Sequence, residues 1–368
     1  MDNIEKQIRE ACDIFQIAGQ YLGFEQVNSG HINTTYRVRF MRDEEKNYIL
    51  QRINTYVFAD PVGMMENISS VTEYIRAKIK ATGVTAKRSV LHYQKTATGE
   101  YYTYLSDGSF WRCCRFIDGS LSFLTPDTLS IVRSSGCAFG EFQQYLSDYP
   151  VEKLNIVIPH FHNTVNRYRL FREAIERNAA GRADEVGAEI SAYFGLEEIA
   201  TRLYKMQKQG ILPLRVTHND TKCSNVLFDE ETFEYLCVID LDTVMPGLLA
   251  FDFGDAIRIA ASTGEEDEKD LDKVAVDMEK YEAFTQGFVS AVSHMMTDAE
   301  KANLALGAIA MTVECGMRFL TDYLAGDKYF RIHYEDQNLV RARAHLALAK
   351  DMVERLDEMQ AIVEKYCQ

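Results

Sequence analysis

The sequence predicts an α+β fold in two lobes: a small antiparallel sheet with one helix, then a larger, mainly helical lobe. Three observations lead there. Short β-branched and aromatic runs crowd residues 24–53 and 89–117 and are cut by turn-forming residues. Beyond Thr125 the apolar residues recur mostly at helical spacing. The exception is 214–262, where two strands joined by a turn each end in acidic or amide groups. We place the first lobe at residues 1–118 and the second, with the catalytic loops, at 119–368.

Composition narrows the function classes. A chain of 368 residues holds two domains or two lobes of one enzyme. With 46% hydrophobic and 26% charged residues it reads as an ordinary globular protein, and its core can fold with no disulfide or metal staple. A net charge of −15 argues against a nucleic-acid or anionic-membrane partner. The eight cysteines form no C-x-x-C pair and read as reduced, buried thiols. Residues 1–10 are charged with no signal-peptide core, and no apolar run reaches the length of a membrane span. The expected location is the cytoplasm, with no obligate protein partner. Neither a P-loop nor a G-x-S-x-G elbow is present.

In chain order, residues 4–18 follow a helical period. Strands at 24–27 and 36–40 flank a polar loop that holds Gly30 and His31. Such a loop can fold over phosphates through its backbone N–H groups. The third strand is 48–53. A helix at 61–80 carries the stripe Met64, Met65, Ile68, Val71, Ile75 and Ile79. Glu66 and Glu73 are its candidates to face the third strand, Glu66 being the better spaced; the alternative is a solvated face. Runs at 89–93, 101–104 and 111–117 complete a sheet of about five strands, and 116–120 connects to the second lobe.

Helices follow at 129–145 and 188–209. His160 and His162 have no acidic or thiol partner at ligand spacing, so their loop reads as packed near the site and not as a zinc centre. The acidic run 264–270 reads as solvated surface. Residues 303–324 are apolar on all sides and should be buried, yet Glu314, Arg318 and Asp322 recur on one face. They form either an internal ion-pair ladder or a face on which Arg318 turns to a polar substrate. Gly326 ends this helix, and 338–366 is a final packing helix.

The chemistry lies in 214–262. One strand ends in His218-Asn219-Asp220, with Asn225 five residues on; a second ends in Asp240, with Asp242 two residues on. Phosphoryl transfer needs a carboxylate for the attacking hydroxyl and hard oxygen ligands to hold Mg2+ against the phosphates of ATP. Asp220 fits the base. Asn225 and Asp240 fit the metal, with Asp242 a further candidate. Lys222 can reach the transferring phosphoryl group as a point charge.

His218-x-Asp220-x-Lys222-x-x-Asn225, followed by Ile239-Asp240, resembles the catalytic and metal loops of protein-kinase-like folds, and most of all the aminoglycoside phosphotransferase branch. Within that branch nearly the whole chain is similar to bacterial N-acetylhexosamine 1-kinases. The matching stretches are 30–36, 48–51, 218–222, 239–246, 251–255 and 314–329. The resemblance implies a two-lobe kinase-like fold, ATP and Mg2+ as cofactors, and phosphorylation of the anomeric hydroxyl of N-acetylglucosamine or N-acetylgalactosamine. It implies that the Gly30 loop lies at the active site, that His31, Arg318 and Tyr329 contact the sugar, and that adenine bonds to the backbone of 116–120.

Two features depart from the kinase pattern. The third-strand lysine that holds the α- and β-phosphates is missing. Gln51 stands there, with Arg52 on the opposite face; either Gln51 takes the role or Arg52 swings in, and the resemblance favours Gln51. Asp252-Phe253-Gly254 spells the kinase metal triplet but lies 27 residues past Asn225, too far for a hairpin. Asp252 and Asp255 are therefore expected to cap or brace the catalytic loop. Two other readings stay open: a kinase of the same fold acting on another sugar, an amino alcohol or an aminoglycoside, and a nucleotide-binding pseudokinase.

Overall fold

The computed structural model describes residues 3–27, 32–126 and 128–367. Gly30 and His31, the two loop candidates, lie outside them. In chain order the elements begin with α1 (Asn3–Ile14), β1 (Gln20–Val27), β2 (Thr34–Met41), β3 (Glu45–Arg52), α2 (Pro61–Ala81), β4 (Tyr102–Tyr104), β5 (Phe110–Arg115) and β6 (Ser120–Leu121). Then come α3 (Leu129–Tyr145), α4 (Thr164–Arg177), α5 (Gly187–Gly195), α6 (Glu197–Lys208), β7 (Arg215–Thr217), β8 (Val226–Asp229), β9 (Tyr235–Val238) and β10 (Met245–Gly247). The remainder is helical: α7 (Leu249–Ala260), α8 (Met278–Val292), α9 (Asp298–Lys301), α10 (Leu306–Ala325), α11 (Gln337–Glu354) and α12 (Leu356–Tyr366).

Two compact units result. The first is Met1–Leu121 with Glu152–Pro159 and Leu227–Met245; the second is Ser122–Val151, His160–Val226 and Pro246–Gln368. In the first unit an antiparallel sheet runs in the order β1-β2-β3-β5-β4. Alternation sorts its faces. Tyr36, Val38, Phe40, Leu50, Trp111 and Cys113 pack on Ile8, Ala11, Cys12 and Phe15 of α1. The larger of these, such as Ile8, Val38 and Leu50, contribute about 1.5–3 kcal/mol each by leaving water. On the other face Arg112 reaches Met65 Sδ of α2 at 3.9 Å. Asp60 starts α2 by accepting from Gly63 N, and Pro61 fills the first helical position, where no N–H is needed. The predicted strand at 89–93 is reduced to a single bridge, Tyr93 to Cys114; two further bonds, Gln94 N to Cys113 O and Arg115 N to His92 O, tie the segment to β5 before the turn at Thr96. A small second sheet, β6-β8-β9, pairs the connector with the hairpin that leads to Asp240.

In the second unit α10 is the buried axis, as its all-round apolar sequence predicts, with Ile309, Val313, Met317 and Leu320 fully buried. It crosses α7 closely, because a Cβ on Gly254 would fall 2.1 Å from Gly307 O. The glycine of the kinase-like triplet is thus a helix-crossing residue. Gly326 caps α10 at φ 92°, as expected. The helix predicted over 188–209 breaks at Leu196, whose N–H bonds back to Tyr193 O after Gly195. The final helix breaks likewise at Arg355.

Candidate active site

In the second unit β7 ends at the candidate catalytic loop, residues 218–225. Asp220 is half-buried, and its Oδ2 accepts from Lys222 Nζ at 2.8 Å and Asn225 Nδ2 at 3.0 Å. The same amide donates to Asp220 O at 2.9 Å. The predicted base, point charge and amide ligand are therefore brought together on one short loop. Asn219, just before Asp220, holds φ 64°. That left-handed backbone is uncommon outside glycine and persists where surroundings over-determine it. Here Thr217 Oγ1 bonds Asn219 Oδ1 at 3.0 Å, and Asn219 N donates to Asp252 Oδ1 at 2.8 Å. The Gly247 end of β10 lies so near that a Cβ there would sit 2.2 Å from Thr217 Oγ1.

Asp252 and Asp255, one turn apart on α7, brace this loop from beneath. Asp252 accepts from His218 N at 2.8 Å, from Asn219 N and from Gln143 Nε2, while its own carbonyl accepts from Thr221 Oγ1. Burial pushes its pKa above the usual carboxylate range, against His218 and the three donors. Neither residue caps α7, whose N-cap is Leu248. Asp255 accepts from Thr221 N at 3.1 Å and pairs with Arg258 at 2.8 Å. Burial raises its pKa, but the Arg258 charge and bond outweigh it and hold the carboxyl low.

Arg258 continues the brace to His345. His345 Nδ1 lies 2.8 Å from Arg341 O, and Nε2 lies 3.4 Å from Arg258 Nη1. A carbonyl accepts and a guanidinium donates, so the neutral ring with hydrogen on Nδ1 satisfies both. Burial, then the Arg258 charge, lower the His345 pKa from 6.5 to about 3. The unfolded chain then binds this proton first, so stability is full above the unfolded pKa and falls as pH drops toward about 3. Urea unfolding at pH 7 and pH 5 tests this. His345→Gln should shrink the acid-induced loss by about 2 kcal/mol, at ~1.4 kcal/mol per pH unit; an identical loss in both proteins sinks the assignment.

The histidine loop does pack on the site. His162 contacts Glu314 Oε1 at 3.0 Å through Nδ1 and Asn219 O at 3.3 Å through Nε2. Thr164 Oγ1 donates to the other Glu314 oxygen. Burial raises the Glu314 pKa, and the His162 bond and charge overcome it, leaving it low. The face bearing Glu314, Arg318 and Asp322 is not an ion-pair ladder, because each residue turns elsewhere. Asp322 accepts from the backbone N–H of Lys328, Tyr329 and Phe330 at 2.9–3.0 Å and so shapes the loop after α10. Arg318 lies 5.3 Å from the Phe330 ring and 5.9 Å from the Tyr329 ring. Tyr329 is 71% exposed.

The first unit carries the other candidates. Asp240 is exposed after β9 at φ 59°, ψ 56°. Asp242 is buried, its Oδ1 held by Arg112 Nη1 and its Oδ2 by Asn33 Nδ2 at 2.6 Å. Gln51 is tied at both ends, to Thr35 Oγ1 at 3.1 Å and Arg112 Nε at 2.9 Å, and Arg52 is exposed. Glu66 does not face the third strand. It is exposed and accepts from Asn155 Nδ2 at 2.9 Å, since a hundred-degree turn per residue puts Asn67 inward in its place. Glu73 pairs with Arg76 and bonds Tyr101. Arg112 was not singled out in the sequence, although a lone charge within Phe110-Trp111-Arg112-Cys113-Cys114 is a signal.

No helix among the described residues is long and apolar enough to cross a membrane. The chain has the fold of known phosphotransferases. It is similar to a microcompartment-associated aminopropanol kinase, with TM-score 0.65, 15% identity, and coverage of 97% of this chain and 98% of that one. It is similar to an aminoglycoside phosphotransferase from Alicyclobacillus acidocaldarius subsp. acidocaldarius DSM 446, with TM-score 0.64, 12% identity, and coverage of 97% and 96%. For amicoumacin kinase hAmiN in complex with AMP-PNP, Ca2+ and Ami, the TM-score is 0.55 at 12% identity, covering 96% and 94%. At these identities the likeness is one of fold. Residues 23–284, more than half of the chain, match the profile of the phosphotransferase enzyme family, APH, and the chain belongs to that family.

Proposed function

We propose that this phosphotransferase moves the γ-phosphoryl group of ATP to the anomeric hydroxyl of an N-acetylhexosamine, N-acetylglucosamine or N-acetylgalactosamine. The observation that carries the acceptor class is the Arg318–Tyr329–Phe330 group, with its guanidinium 5.9 Å and 5.3 Å from the two rings. Arg167 of α4 adds a second cation there: burial, then the Arg318 charge, hold its pKa below the ordinary arginine value. Neighbouring guanidiniums repel a choline, an amino alcohol or an aminoglycoside. They donate well to sugar hydroxyls and an acetamido oxygen, and an exposed Tyr329 offers an apolar face for a pyranose.

Asp220 orients the acceptor hydroxyl and takes its proton as the oxygen attacks phosphorus. Lys222 places its charge beside that carboxylate, where the transferring phosphoryl group needs it. Asn225 and Asp240 are each a hard oxygen donor of the kind Mg2+ takes alongside substrate phosphates. The metal supplies charge neutralisation of the phosphates when bound. His31 is assigned to the sugar from the resemblance alone, and Gly30 to the phosphates from the backbone N–H groups its polar loop can offer.

The test is ATP consumption with Mg2+ against N-acetylglucosamine, N-acetylgalactosamine, galactose, glucose, choline and kanamycin, with product position read by phosphorus NMR. A 1-phosphate formed mainly from the two N-acetylated sugars is expected. Arg318→Leu should raise the sugar KM at least tenfold and leave the ATP KM within twofold, since one charge-assisted bond is worth about 1.5–3 kcal/mol. Turnover of choline or kanamycin alone overturns the acceptor assignment.

A further inference from the structure

We infer that Arg112 is a positioning residue for the metal-binding turn, and that Asp242 is the anchor it grips and not a metal ligand. This rests on the reading of Asp240 as a Mg2+ ligand. In the register of β3 and β5, Arg112 sits directly across from Gln51. The positive charge missing at position 51 is thus supplied one strand over. It is not free for phosphates: Arg112 is 2% exposed, with Nε on Gln51 Oε1 and Nη1 on Asp242 Oδ1.

Asp242 is equally committed. It is 3% exposed, and both of its oxygens are engaged, one by Arg112 and one by Asn33. Asn33 is itself fixed, accepting from Asn54 N at 2.9 Å. A metal at Asp242 would have to displace these donors inside a buried turn, whereas Asp240, two residues away, is exposed to solvent.

The turn is pinned at a second point. Asn67 of α2 donates to Val244 O at 2.9 Å and is held by Asn155, whose N–H donates to Asn67 Oδ1 at 2.8 Å. Between the strand end and these pins lies the left-handed Asp240, followed by a 3-10 turn over Leu241–Thr243. A non-glycine residue keeps that conformation where neighbours enforce it. A buried ion pair is seldom the most stable way to fill a core, but it selects one geometry. Here the geometry selected is that of the Asp240 carboxylate. A lysine at 112 lacks the planar fork that serves Gln51 and Asp242 together.

The experiment compares wild type with Arg112→Met, the double variant Arg112→Met/Asp242→Leu, and Asp240→Asn. Three quantities are read: thermal unfolding, AMP-PNP binding in EDTA, and Mn2+ half-saturation with AMP-PNP present, by electron paramagnetic resonance. Arg112→Met leaves Asp242 buried and unpaired, so it should lower the melting temperature. The double variant removes both charges and should recover most of that loss. Both should raise the Mn2+ half-saturation at least tenfold while AMP-PNP binding in EDTA stays within threefold. Wild-type Mn2+ affinity in a stable double variant overturns the positioning role, provided that Asp240→Asn weakens Mn2+ binding. Unchanged Mn2+ affinity in Asp240→Asn overturns the metal assignment itself, and the inference with it.

Discussion

Asp220→Asn should reduce turnover by roughly three orders of magnitude, within the range for removing a general base, and leave AMP-PNP affinity within about twofold. The substitution is isosteric, so the amide can still accept from Lys222 or Asn225, which meet the carboxylate at 2.8 and 3.0 Å. What it removes is the site that takes the acceptor proton. Stability should hardly move, because the Lys222–Asp220 pair is partly exposed, at 38% and 30%, and such pairs contribute about 0–1 kcal/mol. Single-turnover kinetics and calorimetric nucleotide binding separate the two effects. A loss of nucleotide affinity as large as the loss of turnover means that Asp220 serves ATP and not the acceptor.

The meeting of the loop's polar side chains is legible in the sequence because it is local. Asp220, Lys222 and Asn225 lie within six residues, and a loop that short leaves few ways to separate them. The hairpin to Asp240, the buried α10 and its Gly326 cap were legible for the same reason: periodicity and a capping glycine act over one or two turns. What stayed hidden depends on residues far apart in the chain. Arg112 meets Asp242 across 130 positions and Asn67 meets Val244 across 177, so no spacing rule reaches them. Of the two readings of Glu66 the solvated face holds, because a single helical position is enough to exchange the inward residue, Asn67, for the outward one. The face of Glu314, Arg318 and Asp322 was found correctly, but its partners come from α4, the histidine loop and the loop after α10. A one-dimensional pattern shows that such charges need partners, not which ones.

Asp252→Ala should have the largest effect on folding and should also abolish activity. The carboxylate accepts from His218 N, Asn219 N and Gln143 Nε2 at 1% exposure, and truncation leaves these donors buried. Each buried donor without an acceptor costs about 1–3 kcal/mol, so a total loss of about 3–6 kcal/mol is expected once neighbouring effects overlap. Asp252→Asn is the sharper variant. It keeps the shape but has one acceptor oxygen for three donors, so an NH2 group must face an N–H. It should lower both melting temperature and turnover, because Asn219 then loses an anchor of its φ 64° backbone and Asp220 follows it in the chain. The Mg2+ concentration at half-maximal rate should stay within about twofold of wild type, since a loop brace holds no phosphate-bound metal. This separates the two meanings of Asp252-Phe253-Gly254. A metal aspartate, when amidated, raises the Mg2+ requirement and leaves the fold intact. A brace does the reverse, and Gly254, pressed within a helix crossing at Gly307 O, already belongs to the architecture.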